Sequence, residues 1–355
     1  MKNYFKSMVA IALVACTFGL GSCSSSSDDE KDSAVEVVKK NDTALLLCSF
    51  GSTYMQPQET YDKIIADYHK KYPNVDIYMS FTSRSIINRV YAKVGKAYAQ
   101  PDLWLAEIGE KGYKNVYVQS LHIIPGEEYL GLMNSTVKKE FMSVYPDVKV
   151  AKGACLLKSD EDVKEVAKIL YDYYKPRLDK GEAVAFMGHG NPDAEYVHAN
   201  QQYSNLEVEL QKLSGKANIF VGTVDWGDKM FSHVRDGLVA YAKASGKENK
   251  DLTVTITPLM SIAGDHAQND LLGGLADDQK MSDVDPMEDD EDAEFAWNIK
   301  LEKMGFVINP EGTTTSEDGF NVLGLGDHAG IRNIWVKHLE EAIEDMASWN
   351  DSFED

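Results

Sequence analysis

From Thr43 onward the chain repeats one pattern. A short, continuous apolar run ends in a turn of glycine or small polar residues, and a stretch with apolar residues at helical spacing follows. Residues 44–50 form the first run. They lack the apolar–polar alternation of a half-exposed strand, so they predict a strand covered on both faces. Residues 59–72 then carry Tyr61, Ile64, Ile65 and Tyr68 on one helical face. Further strands are predicted at 76–81, 115–124 and 148–156, with helices at 84–94, 102–109, 128–145 and 159–178. The last helix opens with Ser159 and the acids Asp160, Glu161 and Asp162, an N-terminal cap followed by first-turn charge. The pattern then restarts, with strands at 183–187, 217–224, 252–262 and 321–325 and helices at 196–213, 231–244, 294–304 and 331–346. Such alternation predicts parallel sheets joined by right-handed crossovers. The expected fold class is α/β, in two similar domains that are each a parallel sheet flanked by helices.

The two halves also match in sequence. Residues 46–53 parallel 185–192, each a strand opening onto a glycine-containing turn, and residues 120–128 parallel 258–266. An internal duplication is read from this, with half-domains at 43–180 and 181–350. One segment of the second half breaks the pattern. Residues 277–294 are dense in Asp and Glu and contain Pro286, so they are expected to form a mobile, solvated insertion, with metal gathering as the functional alternative.

The start of the chain is not fold. Lys2 and Lys6 precede an apolar stretch over 8–20 that is too short for a permanent membrane span, and Leu20-Gly21-Ser22-Cys23 follows. Small residues before a cysteine are similar to the lipobox of bacterial lipoproteins. Residues 1–22 are therefore read as a signal peptide, Cys23 as the lipidated residue and 23–42 as an acidic, serine-rich tether. The expected location is outside the cytoplasm, with the membrane reached through the lipid anchor only. Of the four cysteines, Cys48 and Cys155 remain beyond the leader, both in apolar runs, which reads as buried thiols and not a disulfide framework. A formal net charge of −21 argues against nucleic acid as a partner, because phosphate neutralisation needs clustered Lys and Arg. Homo-oligomerisation is left open.

In open parallel sheets, ligands sit beyond the carboxyl ends of the strands. His189, Asp225 and His266 each follow a predicted strand of the second half and would converge on one crevice. Two imidazoles and a carboxylate suit Co²⁺, Ni²⁺, Zn²⁺ or Fe²⁺ and leave coordination positions open. His328 stands near the last helix and is read as surface or structural.

Several segments now carry a resemblance. Met187-Gly188-His189-Gly190, Pro258-Leu259-Met260 and Ala263-Gly264-Asp265-His266-Ala267-Gln268-Asn269-Asp270 resemble signature segments of the anaerobic sirohydrochlorin cobaltochelatases. So do Ser49-Phe50-Gly51-Ser52, Phe81-Thr82-Ser83 and the run from Gln119 to Tyr129, all in family order between about residues 43 and 345. The resemblance implies a class II chelatase fold with a tetrapyrrole cleft between the two domains. It places the metal-site histidines on His189 and His266, and the family's catalytic glutamate on Asp225, an acid one methylene shorter. Arg84, Ser49, the backbone of Gly51 and Ser52, and His122 are candidates for holding the tetrapyrrole. For His122 a buried structural role is equally open, and Arg89 reads as exposed helix charge.

The activity so implied is insertion of Co²⁺, or a similar divalent metal, into sirohydrochlorin, a step of anaerobic cobalamin and corrinoid synthesis. The metal is a substrate, and no organic cofactor is expected. A different class of function competes. The leader places the chain away from intracellular corrin assembly, so the same cleft in an exported protein would serve to bind haem, another tetrapyrrole or metal for uptake or metal removal.

Overall fold

The computed structural model of the chain describes residues 35–289, 294–310, 315–316, 319–320 and 322–353. Among them, β1 (Thr43–Ser49), β2 (Asp76–Phe81), β3 (Asn115–Ser120) and β4 (Lys149–Gly153) form a parallel sheet in the order β2-β1-β3-β4. A second parallel sheet, β6-β5-β7-β8, is built from β5 (Ala183–Gly188), β6 (Ile219–Thr223), β7 (Thr253–Pro258) and β8 (Val307–Pro310). Every residue of β5 is buried, as is every residue of β1 after the first, which is why neither run alternates in polarity.

Helices connect the strands. The first half carries α1 (Gln58–Lys71), α2 (Arg84–Val94), α3 (Pro101–Glu110) and α4 (Glu127–Leu130), which continues as a π-helix over Gly131–Met142. The long α5 (Asp160–Leu178) leads into the second half, which holds α6 (Val197–Ser214), α7 (Phe231–Ala244), α8 (Trp297–Lys303) and the closing α9 (Ala329–Glu344). Local chemistry sets the starts of α2 and α5, where Ser83 Oγ accepts the Ile86 amide and Ser159 Oγ accepts the Asp162 amide.

The two sheets repeat one another in register as well as in order. Leu46 pairs with Val118 in the first sheet and Ala185 with Ile256 in the second, and these residues correspond in the sequence repeat. Leu121 N donates to Cys48 O, as Leu259 N does to Met187 O at the matching place. Each sheet reverses its strand order beside its first strand, so each has a switch point at the carboxyl ends of β1 and β3, or of β5 and β7.

One buried core joins the halves. It runs from Leu45 and Leu47 through Val163, Val166 and Leu170 of α5 to Val184 and Phe186 of β5. The closing helix α9, although it comes last in sequence, packs on β4 and β3 of the first sheet. It is pinned there by His338 Nε2 against Asp162 Oδ1 at 2.9 Å, both side chains buried, and by the Lys158–Glu341 ion pair. His328 stands at the N-terminal boundary of α9 without a side-chain capping bond and packs edge-on against Tyr173, at 4.7 Å between centroids.

Three expectations need correction. The last strand lies at Val307–Pro310; Val322 is buried as irregular chain, and Leu325 sits in a short 3₁₀ turn. Strands expected to run to 124 and 262 end at the matching repeat positions Ser120 and Pro258. The acidic insertion is tied down over its described part. Val284 is buried with Phe295 and Ile299, Asp289 Oδ1 accepts the Ser232 amide at 2.9 Å, and Lys303 Nζ donates to Met281 O at 2.7 Å. Residues 290–293 lie outside the described residues, as do the leader, Cys23 and the tether up to residue 34.

Candidate functional site

A cleft of about 310 Å³ opens where the two switch points face each other. Its walls are repeat-related. Phe50, Gly51, His122 and Glu128 of the first half correspond to His189, Gly190, Met260 and His266 of the second, and all eight line the cleft. The imidazole pair therefore stands on one wall only, opposite a phenyl ring and a carboxylate. Phe50 and His189 meet with ring centroids 6.1 Å apart.

The turns that present these side chains are held by backbone geometry and by contacts between the halves. Gly51 and Gly190, mates in the repeat, have φ of +105° and +94°, a region that disfavours any side chain. A Cβ on Gly190 would come within 2.9 Å of Trp226 N. That turn is stitched to the one after β6, because Val224 N and Asp225 N both donate to His189 O. Across the cleft, Asn191 Oδ1 accepts the Glu127 amide at 3.1 Å. At the matching place, Asp265 accepts Thr53 N at 2.9 Å and Thr53 Oγ1 at 2.6 Å. Each half thus fixes the turn that carries a polar group of the other half.

His189 and His266 are brought together, with ring centroids 4.8 Å apart and planes at 81°. His189 Nδ1 lies 3.0 Å from Gly190 O and 3.2 Å from Asp225 Oδ1. One ring N–H cannot serve both acceptors, and Asp225 Oδ1 stays buried without a hydrogen bond of good geometry. Burial is the largest influence and pulls the His189 pKa down, but the close contact and charge of Asp225 together with Gly190 O and Glu128 pull it up by more, and the net direction is up. His266 Nδ1 meets Asp270 Oδ2 at 2.5 Å. Each imidazole therefore has a carboxylate at Nδ1, and Nε2 is the nitrogen with no partner among the described residues. A carboxylate held behind Nδ1 in this way fixes the tautomer of a ligating histidine.

The expected three-ligand set is not closed. Among the described residues, no group of three or more His, Cys, Asp and Glu side chains is arranged to hold a metal ion. Asp225 is engaged against Nδ1 of His189. Its orphaned buried oxygen beside two imidazoles still fits the approach of a cation.

His122 answers both of its sequence readings. It lines the cleft, yet its side chain is only 11 % exposed. Burial holds its pKa down against the opposing pull of Glu128, whose Oε2 is 4.0 Å from Nε2. Nδ1 sits 2.9 Å from Ser120 Oγ, and Nε2 is buried without a partner.

Other predicted ring contacts fare differently. Gly51 lines the cleft, but no helix begins there; α1 starts at Gln58. Ser49 is buried against Tyr61 Oη at 2.9 Å, and Ser52 Oγ accepts the Tyr54 amide, so neither hydroxyl lines the cleft. Arg84 is not a cleft residue either. Burial of Ile86 and Val90 turns the first residue of α2 outward, where Arg84 Nε donates to Gln100 Oε1 at 2.5 Å. No Lys or Arg lines the cleft among the described residues.

Sequence reading missed Asp270, Asn191 and Phe50. Asp270 was legible as an i, i+4 partner of His266. Phe50 was legible as the repeat mate of His189. Asn191 had no local signal, because its partner is 64 residues away in sequence.

Comparison with known proteins shows which family and fold the chain shares. The chain is 28 % identical over 305 residues to the sirohydrochlorin cobaltochelatase of Salmonella typhimurium, covering 84 % of this chain and 96 % of that protein. It is 26 % identical over 299 residues to the sirohydrochlorin cobaltochelatase CbiKC of Nitratidesulfovibrio vulgaris, covering 84 % and 90 %. Among solved structures, SirB from Bacillus subtilis with Fe³⁺ superposes with a TM-score of 0.50 at 14 % identity, over 84 % of this chain and 95 % of that one. The shared fold is the class II chelatase fold. The model of the family described as cobalt chelatase (CbiK) matches residues 43–344, and the chain belongs to that family.

Proposed function

We propose that this chain is a sirohydrochlorin cobaltochelatase, a metal chelatase that inserts Co²⁺ into a tetrapyrrole. One observation carries the reading within the family: two imidazoles meet at the double switch point, each with a carboxylate at Nδ1 and Nε2 unengaged. The named activity of both relatives supports it.

Metallation has to strip water from the cation and remove two pyrrole N–H protons from the ring. His189 and His266 are the ligands for the incoming metal through Nε2, with Asp225 close enough to join or to balance charge. Both rings must be neutral to bind, so acid opposes loading. Phe50 and Met260 give the ring an apolar bed. His122, kept neutral by burial, and Glu128 stand on the wall opposite the imidazole pair, where they can accept the departing protons. With ring and metal held on facing walls, the reaction gains the advantage of proximity.

The experiment is insertion of Co²⁺ into sirohydrochlorin, followed by the change in ring absorbance under anaerobic conditions. The wild-type chain accelerates it, and His189→Ala or His266→Ala lowers the rate by more than the roughly 10- to 100-fold expected when only the partner behind a ligand is lost. A wild-type rate equal to buffer refutes the assignment.

The sequence of the leader supports two further statements. We infer that the chain is exported and anchored through lipid at Cys23, since Leu20-Gly21-Ser22-Cys23 has lipoprotein form. That location favours a second reading, in which the cleft captures a tetrapyrrole or metal for uptake or metal removal. Tight binding of a finished metallo-tetrapyrrole without acceleration of insertion would select it.

A further inference from the structure

We infer that Asp270 is a positioning residue for His266, setting which ring nitrogen His266 offers to the metal. This rests on the reading of His189 and His266 as metal ligands. The contact is short, 2.5 Å between His266 Nδ1 and Asp270 Oδ2. The two side chains belong to different spaces. His266 lines the main cleft, whereas Asp270 lines a separate cavity of about 30 Å³ with Thr223, Asp289 and Lys300. Asp270 therefore acts on the cleft through the imidazole. A carboxylate at Nδ1 holds the proton there and leaves Nε2 as the lone-pair nitrogen.

The two histidines differ in how firmly this choice is made. His189 Nδ1 has two acceptors, Gly190 O and Asp225. Among the described residues, His266 Nδ1 has Asp270 alone. Losing Asp225 would leave the carbonyl to hold the His189 tautomer, while losing Asp270 frees His266 to place its proton on either nitrogen and to turn about its χ angles.

The backbone does not depend on Asp270. Gln268 N donates to Gly264 O at 3.1 Å, and Leu272 N closes a wide turn on Ala267 O at 3.2 Å. Asp265 is clasped by Thr53, and Tyr54 Oη donates to Asn269 Oδ1 at 2.9 Å. A substitution at 270 should thus leave the segment in place and release the ring only. Wide helical turns of this kind recur at functional sites.

The test uses the full chain with Asp270→Ala and Asp270→Asn, titrated with Co²⁺ alone and followed by the visible absorption of the bound ion. Asp270→Ala weakens Co²⁺ binding about 10- to 100-fold. Asp270→Asn loses less, because its amide oxygen still accepts from Nδ1–H. The Co²⁺ concentration for half-maximal insertion rises in step, while KM for the ring and the thermal midpoint stay at the wild-type values. Nitrogen NMR of the metal-free protein shows His266 protonated at Nδ1 in the wild type and shifted toward Nε2 in Asp270→Ala. Asp270→Ala binding Co²⁺ within twofold of wild type, or an unchanged His266 tautomer, overturns the inference. Failure of the wild type to bind Co²⁺ would instead overturn the metal reading of the two histidines. The tautomer measurement needs no metal and still decides the role of Asp270.

Discussion

Replacing Gly190 by alanine puts the load on one point of the site, and the cost follows from two separate sources. The first is conformational. At φ +94° an alanine Cβ crowds its own backbone, a penalty of about 1–2 kcal/mol for the left-handed side of the map. The second is steric. The new Cβ would lie 2.9 Å from both Trp226 N and Trp226 Cβ and 3.2 Å from Thr223 Cβ. Those atoms have little room to retreat, because Trp226 N is bonded to Thr223 Oγ1, and Val224 and Asp225 are tied to His189 O. Overpacking of this kind adds about 1–3 kcal/mol, for a total of about 2–5 kcal/mol. Gly215 is the control. It has φ +67° at the end of α6 with nothing within 4 Å of the same Cβ, so Gly215→Ala carries the conformational part alone. Urea denaturation followed by circular dichroism compares the two. The strain should also push His189 and Asp225 off their positions, so Gly190→Ala loses Co²⁺ insertion even under conditions where it is fully folded. If Gly190→Ala is no costlier than Gly215→Ala, the account of this turn as sterically locked is wrong.

The buried pair between α5 and α9 predicts an acid-sensitive contribution to stability. Burial raises the Asp162 pKa, but bonds to His338 and Ser159 and the charges of His338 and Lys158 lower it further, so the folded value is depressed. A depressed acid stabilises the fold above its unfolded pKa of about 3.9 and loses that contribution as pH falls through the folded value. Asp162→Asn should cost about 1.5–3 kcal/mol at pH 7, the scale of a hydrogen bond to a charged group, with the gap to wild type closing below about pH 4; a gap independent of pH refutes the linkage. For the anchor, Cys23→Ala should move the protein from the membrane pellet to the soluble fraction, and continued pelleting would sink the lipobox reading.

Most of the architecture was legible because its strands are buried on both faces. The runs at 76–81, 84–94 and 231–244 were placed to the residue, each bounded by a cap or a turn. The last strand was not. Val307 and Ile308 are a weak signal followed by Pro310, while Val322 and Leu325 are a stronger apolar run that is buried outside any strand, with Leu325 N donating to Met260 O at 2.8 Å. Periodicity reports burial, and burial does not require a ladder. In the site, the pairing of His189 with His266 followed from the rule that ligands gather at strand ends, since both turns follow neighbouring strands of one sheet. Arg84 went wrong because charge complementarity alone chose it. Its direction is set by which face of α2 is apolar, and that face turns it outward. The clasps by Asn191 and Asp265 join residues 64 and 212 positions apart, beyond any local pattern.

The return of α9 to β3 and β4 has a consequence for biogenesis. The amino-terminal sheet keeps an apolar face, covered in the end by Ile331, Ile334, Trp335 and Leu339, that only the final stretch of polypeptide can shield. Chains normally fold as units in the order they emerge. Here the first unit cannot be finished until nearly the whole polypeptide has been synthesised. Until the tail emerges that face stays open, and losing the tail would unseal the half of the molecule made first.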